Sequence, residues 1–202
     1  MTGRVTTISP RIRRFAAYVL RNLPPGLLQF FQCRNILIQD EKNKTRKRAC
    51  AKHNADRMWI MKLPPDVQFD EKVRLFIWRP HGLIDESAVN RIITILGEME
   101  AGSAEPFNRF SDTSAAEAVD LNFKYIFHIS LFRRLTYRGL PIKSAILATT
   151  ETHLHYSKLH AILTQGSPIK VRIFQELDAA AAWLKVPIDL LLAQGASKKA
   201  ET

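Results

Sequence analysis

The sequence predicts an α/β layer protein with at least partly parallel strands, carried on a chain whose first third is of a different kind. Three observations lead there. From Val73 onward, short runs of β-branched and aromatic residues alternate with stretches of helical periodicity, the order expected of βαβ units. The stretch Val171–Leu184, VRIFQELDAAAAWL, holds one such junction: VRIF reads as a strand, Gln175-Glu176 turns the chain, and apolar residues then fall at Leu177, Ala180, Ala181 and Leu184. Small alanines let that helix lie close on a sheet, and Trp183 is placed to cover the end of the core. The third observation is where the charge lies. The chain has 202 residues and a formal net charge of +11, but residues 1–62 carry 14 Lys/Arg against 3 Asp/Glu and residues 63–202 carry 16 of each.

That partition bounds the function classes. A polyanion partner such as nucleic acid is not expected for 63–202, because its charge sums to zero. Both cysteines, Cys33 and Cys50, lie in the basic third without metal-ligand spacing. With no secretory pattern, they point to a reducing compartment, so a cytoplasmic location is expected. No apolar run approaches the roughly 18–20 residues that span a bilayer.

Taken in order, residues 1–62 are expected to form a basic extension without a stable domain, with Met58 and Met61 as alternative starts just before the well-patterned sequence. Arg11, Arg13, Arg14 and Arg21 surround Ile12, Phe15, Val19 and Leu20 in a short amphipathic pattern, and Lys42–Lys52 holds six Lys/Arg. A membrane-surface or targeting segment within 1–57 and a nucleic-acid tail are the alternatives. The packed domain is expected over 63–190. VRLFIW (73–78) is a strand, Arg79–Gly82 a turn, and Asp85 the N-cap of a helix over 86–100 with Val89, Ile92, Ile93, Leu96 and Met99 on one face. Phe107–Asp112 is a weaker strand, because Asn108 and Arg109 interrupt its apolar pattern. Asp120 is expected to cap a helix over 121–137 that ends at Gly139 and Pro141. Ile142–Thr149 reads as the central buried strand, short and nearly continuously apolar. A helix over 153–165 is expected to turn Leu154, Leu159, Ile162 and Leu163 inward, with Gly166 closing it. Residues 191–202 are expected to be a flexible tail.

The helix over 121–137 stands apart. Phe123, Tyr125, Ile126, Phe127, Ile129, Leu131, Phe132 and Leu135 spread over more than half its circumference, whereas a helix on one sheet needs a single apolar stripe. Deep burial would account for the pattern. So would a second apolar face for a partner subunit or a hydrophobic ligand, and Phe123, Phe127 and Leu131 are the candidate interface residues.

Residues 73–185 resemble the SpoIIAA-like branch of the STAS fold, a small bacterial domain named after anti-sigma-factor antagonists. Three pieces carry the likeness: the strand and turn with Gly82-Leu83 leading into a helix, the Ile142–Thr149 strand with a polar loop and a helix containing Tyr156, and the VRIF…AAAAWL ending. The resemblance implies a STAS-like mixed sheet of four or five strands with packed helices, and a domain that works through protein partners without catalysis. This branch has also been likened to lipid-binding Sec14 domains. One departure matters. Where sigma-antagonist members carry a phosphorylatable serine after an aspartate, this chain reads Asp120-Leu121-Asn122, so a phospho-switch at that point is not expected.

Motifs for chemistry are missing. The sequence has no G-x-S-x-G elbow, no phosphate-binding G-x-x-x-x-G-K loop and no glycine in the loop after Thr149 to admit a pyrophosphate. His153 and His155 differ by two and His155 and His160 by five, spacings that turn rings apart on a helix, so no metal is expected. No cofactor and no catalytic residue are assigned. The best address for a ligand is the loop and helix start after the Ile142–Thr149 strand: Thr149, Thr150, Thr152, His153 and Tyr156. Helix capping by threonine is the simpler account of the same residues. Two functions follow as expectations: a non-enzymatic, STAS-like domain acting by protein contact, homodimeric through the helix over 121–137, or a carrier of a small apolar, lipid-like ligand held between that helix and the sheet.

Overall fold

A computed structural model describes residues 62–137 and 139–192. The expected basic extension, its alternative starts and the tail from residue 193 onward lie outside the described residues. The described elements run β1 (Val67–Asp70), β2 (Leu75–Trp78), β3 (Gly82–Asp85), α1 (Glu86–Gly102), β4 (Asn108–Asp112), β5 (Ala116–Asp120), α2 (Phe123–Thr136), β6 (Ile142–Leu147), α3 (Glu151–Leu163), β7 (Ile169–Phe174), α4 (Leu177–Leu184) and α5 (Ile188–Leu191). They form the expected mixed sheet, here with five strands of the four or five expected, ordered β1-β2-β4-β6-β7, with helices packed on it. β1 pairs antiparallel with β2, and the other three pairings are parallel. A second, parallel sheet joins β3 to β5.

Both faces of the large sheet are covered, and the parity of each strand sorts its residues. Leu75, Ile77, Phe110, Ala145 and Leu147 pack under α4 and α5 against Ala180, Ala181, Leu184 and Leu191. On the opposite face Phe76 and Trp78 pack with Ile92, Ile95, Leu96 and Met99 of α1. Two-sided burial is why β2 reads as an unbroken apolar run. The alanines of α4 behave as expected, with Ala180 fully buried and the half-buried Trp183 ring 5.6 Å from that of Phe174. Asp85 caps α1, its Oδ1 accepting from the Ala88 N–H at 2.8 Å. Gly166 follows α3 at φ +78°, a left-handed conformation that suits glycine.

Several expectations are corrected. Asp120 does not cap α2: it lies in β5 opposite Asp85, so the chain stays extended until Asn122, whose Oδ1 accepts from the Tyr125 N–H at 2.8 Å. β6 ends at Leu147 and lies between β4 and β7, while the middle of the sheet is β4, the strand whose pattern looked interrupted. α3 starts at Glu151, and its inward residues are His153 and Ser157, leaving Ile162 61% exposed. The boundary expected at 190 falls inside α5, where Leu191 is 1% exposed and belongs to the core.

The face under α4 therefore has no slack. Phe110→Ala is expected to lose about 3–5 kcal/mol of stability by opening a cavity, and Ala180→Leu about 1–3 kcal/mol by overpacking. Urea unfolding of the full chain checks both.

Candidate functional site

The face under α1, α2 and α3 is packed differently, because β4 carries polar residues there. In the strand NRFSD, Phe110 points to α4, so Arg109 and Ser111 point the other way. In register, Arg109 lies between Phe76 of β2 and Ser144 of β6, and Ser111 between Trp78 and Ile146. Above this row is a cavity of about 180 Å³. Its walls divide by element. α1 contributes Val89, Ile92, Ile93 and Leu96, all apolar; α2 contributes Tyr125, Ile126, Ile129 and Arg133; α3 contributes His153, Tyr156, Ser157 and His160, all polar or aromatic. An apolar cavity of roughly 150 Å³ accommodates a benzene-sized ligand, so this one has room for a single ring with a small substituent.

Two arginines lie on the cavity wall. Arg109 is 6% exposed and Arg133 4% exposed. Both donate through Nη2 to one atom, Oε1 of Glu100 on α1, at 2.6 Å for Arg133 and closer still for Arg109. The Tyr137 ring lies 5.6 Å from the Arg109 guanidinium and 6.0 Å from that of Arg133. Burial, with the neighbouring Arg133 charge added, pushes the Arg109 guanidinium down to about 9 despite Glu100. It stays charged at neutral pH, and two positive charges share one negative charge. Arg109 Nε, Arg133 Nε and His153 Nδ1 are buried without a hydrogen-bond partner among the described residues.

His160 completes this corner. Its Nδ1 and Ser130 Oγ are 2.8 Å apart. Burial, then the charges of Arg133 and Arg109, push it down to about 4, so it is neutral at pH 7. At the α1 end, the Tyr125 hydroxyl lies 2.9 Å from Asn90 Oδ1 and 3.1 Å from the Glu86 carbonyl, and burial drives its phenol upward. The cavity can thus take an apolar body and offer N–H and O–H donors at one side.

Of the residues singled out in the sequence, His153 and Tyr156 line the cavity. Thr149, Thr150 and Thr152 are exposed, and Thr150 serves as the N-cap of α3, its Oγ1 accepting from the His153 N–H at 3.2 Å. The histidine spacing needs correction. His153 and His160, seven residues apart, share the inward face, while His155 is exposed. Among the described residues no three His, Cys, Asp or Glu side chains group as a metal site. Phe123 is 64% exposed, Phe127 and Leu131 are half-buried, and the Phe123 and Phe127 rings stack at 6.4 Å. The apolar excess of α2 is therefore split between an inward face and an outward stripe. Arg109, Arg133, Glu100, Ser144 and Ser157 were not singled out by sequence reasoning, and His160 was weighed only as a metal ligand. The signal for Arg109 was there: a polar residue interrupting a short strand that must be buried on both sides.

No protein-family model matches the chain, and no curated protein matches its sequence. Its structure is similar to the crystal structure of an uncharacterised protein from the DUF3478 family with a SpoIIAA-like fold, from Shewanella loihica PV-4. The two chains are 12% identical, the match covers 58% of this chain and 90% of that one, and the TM-score is 0.40. Among the described residues no helix is long and apolar enough to cross a membrane.

The neutral state of His160 has a consequence for acid stability. Its folded pKa lies below the usual 6.5, so its contribution is complete above pH 6.5 and lost as pH falls toward 4. The imidazole is expected to titrate near pH 4 by NMR, and His160→Asn to flatten stability between pH 6.5 and 4 in urea unfolding. A ring titrating near 6.5 contradicts this account.

Proposed function

We propose that residues 63–192 form a non-enzymatic binding domain for a small, largely apolar molecule held between the sheet and α1, α2 and α3. The single observation behind this reading is the cavity of about 180 Å³ lined by Ile92, Ile93, Leu96, Ile126, Ile129 and Ile146, in a fold whose other face buries Phe110, Ala145 and Ala180 without exposed surface. Cavities of this kind, mostly apolar with a few converging polar groups, are where small molecules bind. Native mass spectrometry of the full chain purified from its own cells tests the reading. The expected result is an added mass that denaturation releases and that Ile129→Trp, which fills the cavity, abolishes. Only the bare protein mass, with no thermal shift on adding toluene, would sink it.

A second reading, contact with a protein partner or a second copy through α2, is favoured by one observation: Phe123 is 64% exposed and stacks on Phe127. A large exposed aromatic flanked by a second apolar ring is common at interfaces. Sedimentation of the full chain over a hundredfold concentration range is expected to show association that Phe123→Ser removes. A monomer throughout argues against self-association by this stripe.

A further inference from the structure

We propose that the molecule bound in the cavity is an anion: a small carboxylic acid whose apolar body lies along α1 and whose carboxylate meets Arg109 and Arg133. The inference rests on the cavity being a ligand site. Its own support is the charge on the wall. Arginine is almost never fully buried without a partner, yet Arg109 is 6% exposed in the middle strand. Its counter-charge is Glu100, and Glu100 is already shared with Arg133 through the same oxygen. No Asp or Glu lines the cavity among the described residues, so one positive charge faces it unbalanced. Both Nε–H groups lack an acceptor among the described residues. Neutral His160 and the hydroxyls of Ser144 and Ser157, also on the wall, can hydrogen-bond an oxygen but cannot neutralise a cation. A carboxylate supplies both missing things: negative charge and in-plane acceptors that match the guanidinium fork.

The size of the cavity limits the acid. About 180 Å³ admits one ring or a short branched chain with a carboxylate, not a long acyl chain. A buried Arg-Glu-Arg triad can also exist for structural reasons alone, as a device that specifies packing. The two accounts separate by experiment, because a triad that only specifies packing has no reason to prefer an anion to its neutral isostere.

The test titrates the full chain at pH 7 with sodium benzoate and, separately, with benzamide, which has the same shape and no charge. Isoleucine methyl NMR signals report binding, since Ile92, Ile129 and Ile146 line the cavity. Benzoate is expected to bind at least about tenfold more tightly, and Arg109→Met is expected to bring the ratio close to one. Where Arg109→Met does not fold, Glu100→Gln serves instead: with the competing carboxylate gone, benzoate is expected to bind more tightly than to the parent chain. Equal affinities of the parent chain for the two probes overturn the anion inference and leave the cavity reading standing. Binding of neither probe also overturns the anion inference, while the cavity reading falls only if the native mass is bare and toluene gives no thermal shift.

Discussion

The structure depends on a sheet buried on both sides. Once α4 and α5 cover one face and α1 to α3 the other, the strands β2, β4 and β6 have no side turned freely to water. Each must then supply residues that tolerate burial at every position. β2 does so with Leu75, Phe76, Ile77 and Trp78, all buried. On the α4 side the demand is met at the centre of the sheet. Alanines at 145, 180 and 181 bring helix and sheet close, and Phe110 fills the middle of the row with no exposed surface. Close packing of this kind leaves no room for a ligand.

The other face meets the same demand only in part. β4 brings Arg109 and Ser111 to it, with the buried Thr113 just beyond the strand, and α3 brings His153, Ser157 and His160. Desolvating two guanidiniums is expensive, and one carboxylate cannot balance them. Part of the cost is offset by Glu100 and by the Tyr137 ring beneath both cations. His160 responds to the same field by staying neutral. A strand that could have been apolar instead concentrates charge beside a cavity whose α1 wall is valine, isoleucine and leucine. Departures from packing logic of this sort tend to mark functional sites.

The small β3-β5 sheet shapes this corner. It keeps the chain extended from Ala116 to Asp120, delays α2 until Phe123, and places Ile84, Val119 and Leu121 at the apolar end of the cavity. Asn122 ties the two crossovers together, its Nδ2 donating to Glu86 Oε1 at 2.6 Å while its Oδ1 caps α2. With α2 set at this rotation, Ile126, Ile129 and Arg133 face inward and Phe123 faces outward. One helix thereby serves the cavity on one side and leaves an aromatic stripe on the other.

What the sequence determined by itself was the alternation of elements and one face of the core. Period and composition mark β2, β6, β7, α1 and α4 locally, because each carries its own apolar repeat, and Asp85 and Thr150 announce helix starts by side chains that act within three residues. Tertiary structure alone decided the rest. The pairing of Ala116–Asp120 with Gly82–Asp85 joins residues more than thirty positions apart and leaves no local period to read. It is also what moved the α2 cap from Asp120 to Asn122. The rotation of α3 was decided the same way: an expected leucine face gave way to His153, Ser157 and His160 because the opposing strands offer hydroxyls and a guanidinium there. Thr149 and Tyr156 sit near each other in sequence, yet only Tyr156 reaches the cavity. Arg109, Glu100 and Arg133 lie on three elements, and charges that meet only through folding leave no trace in local spacing.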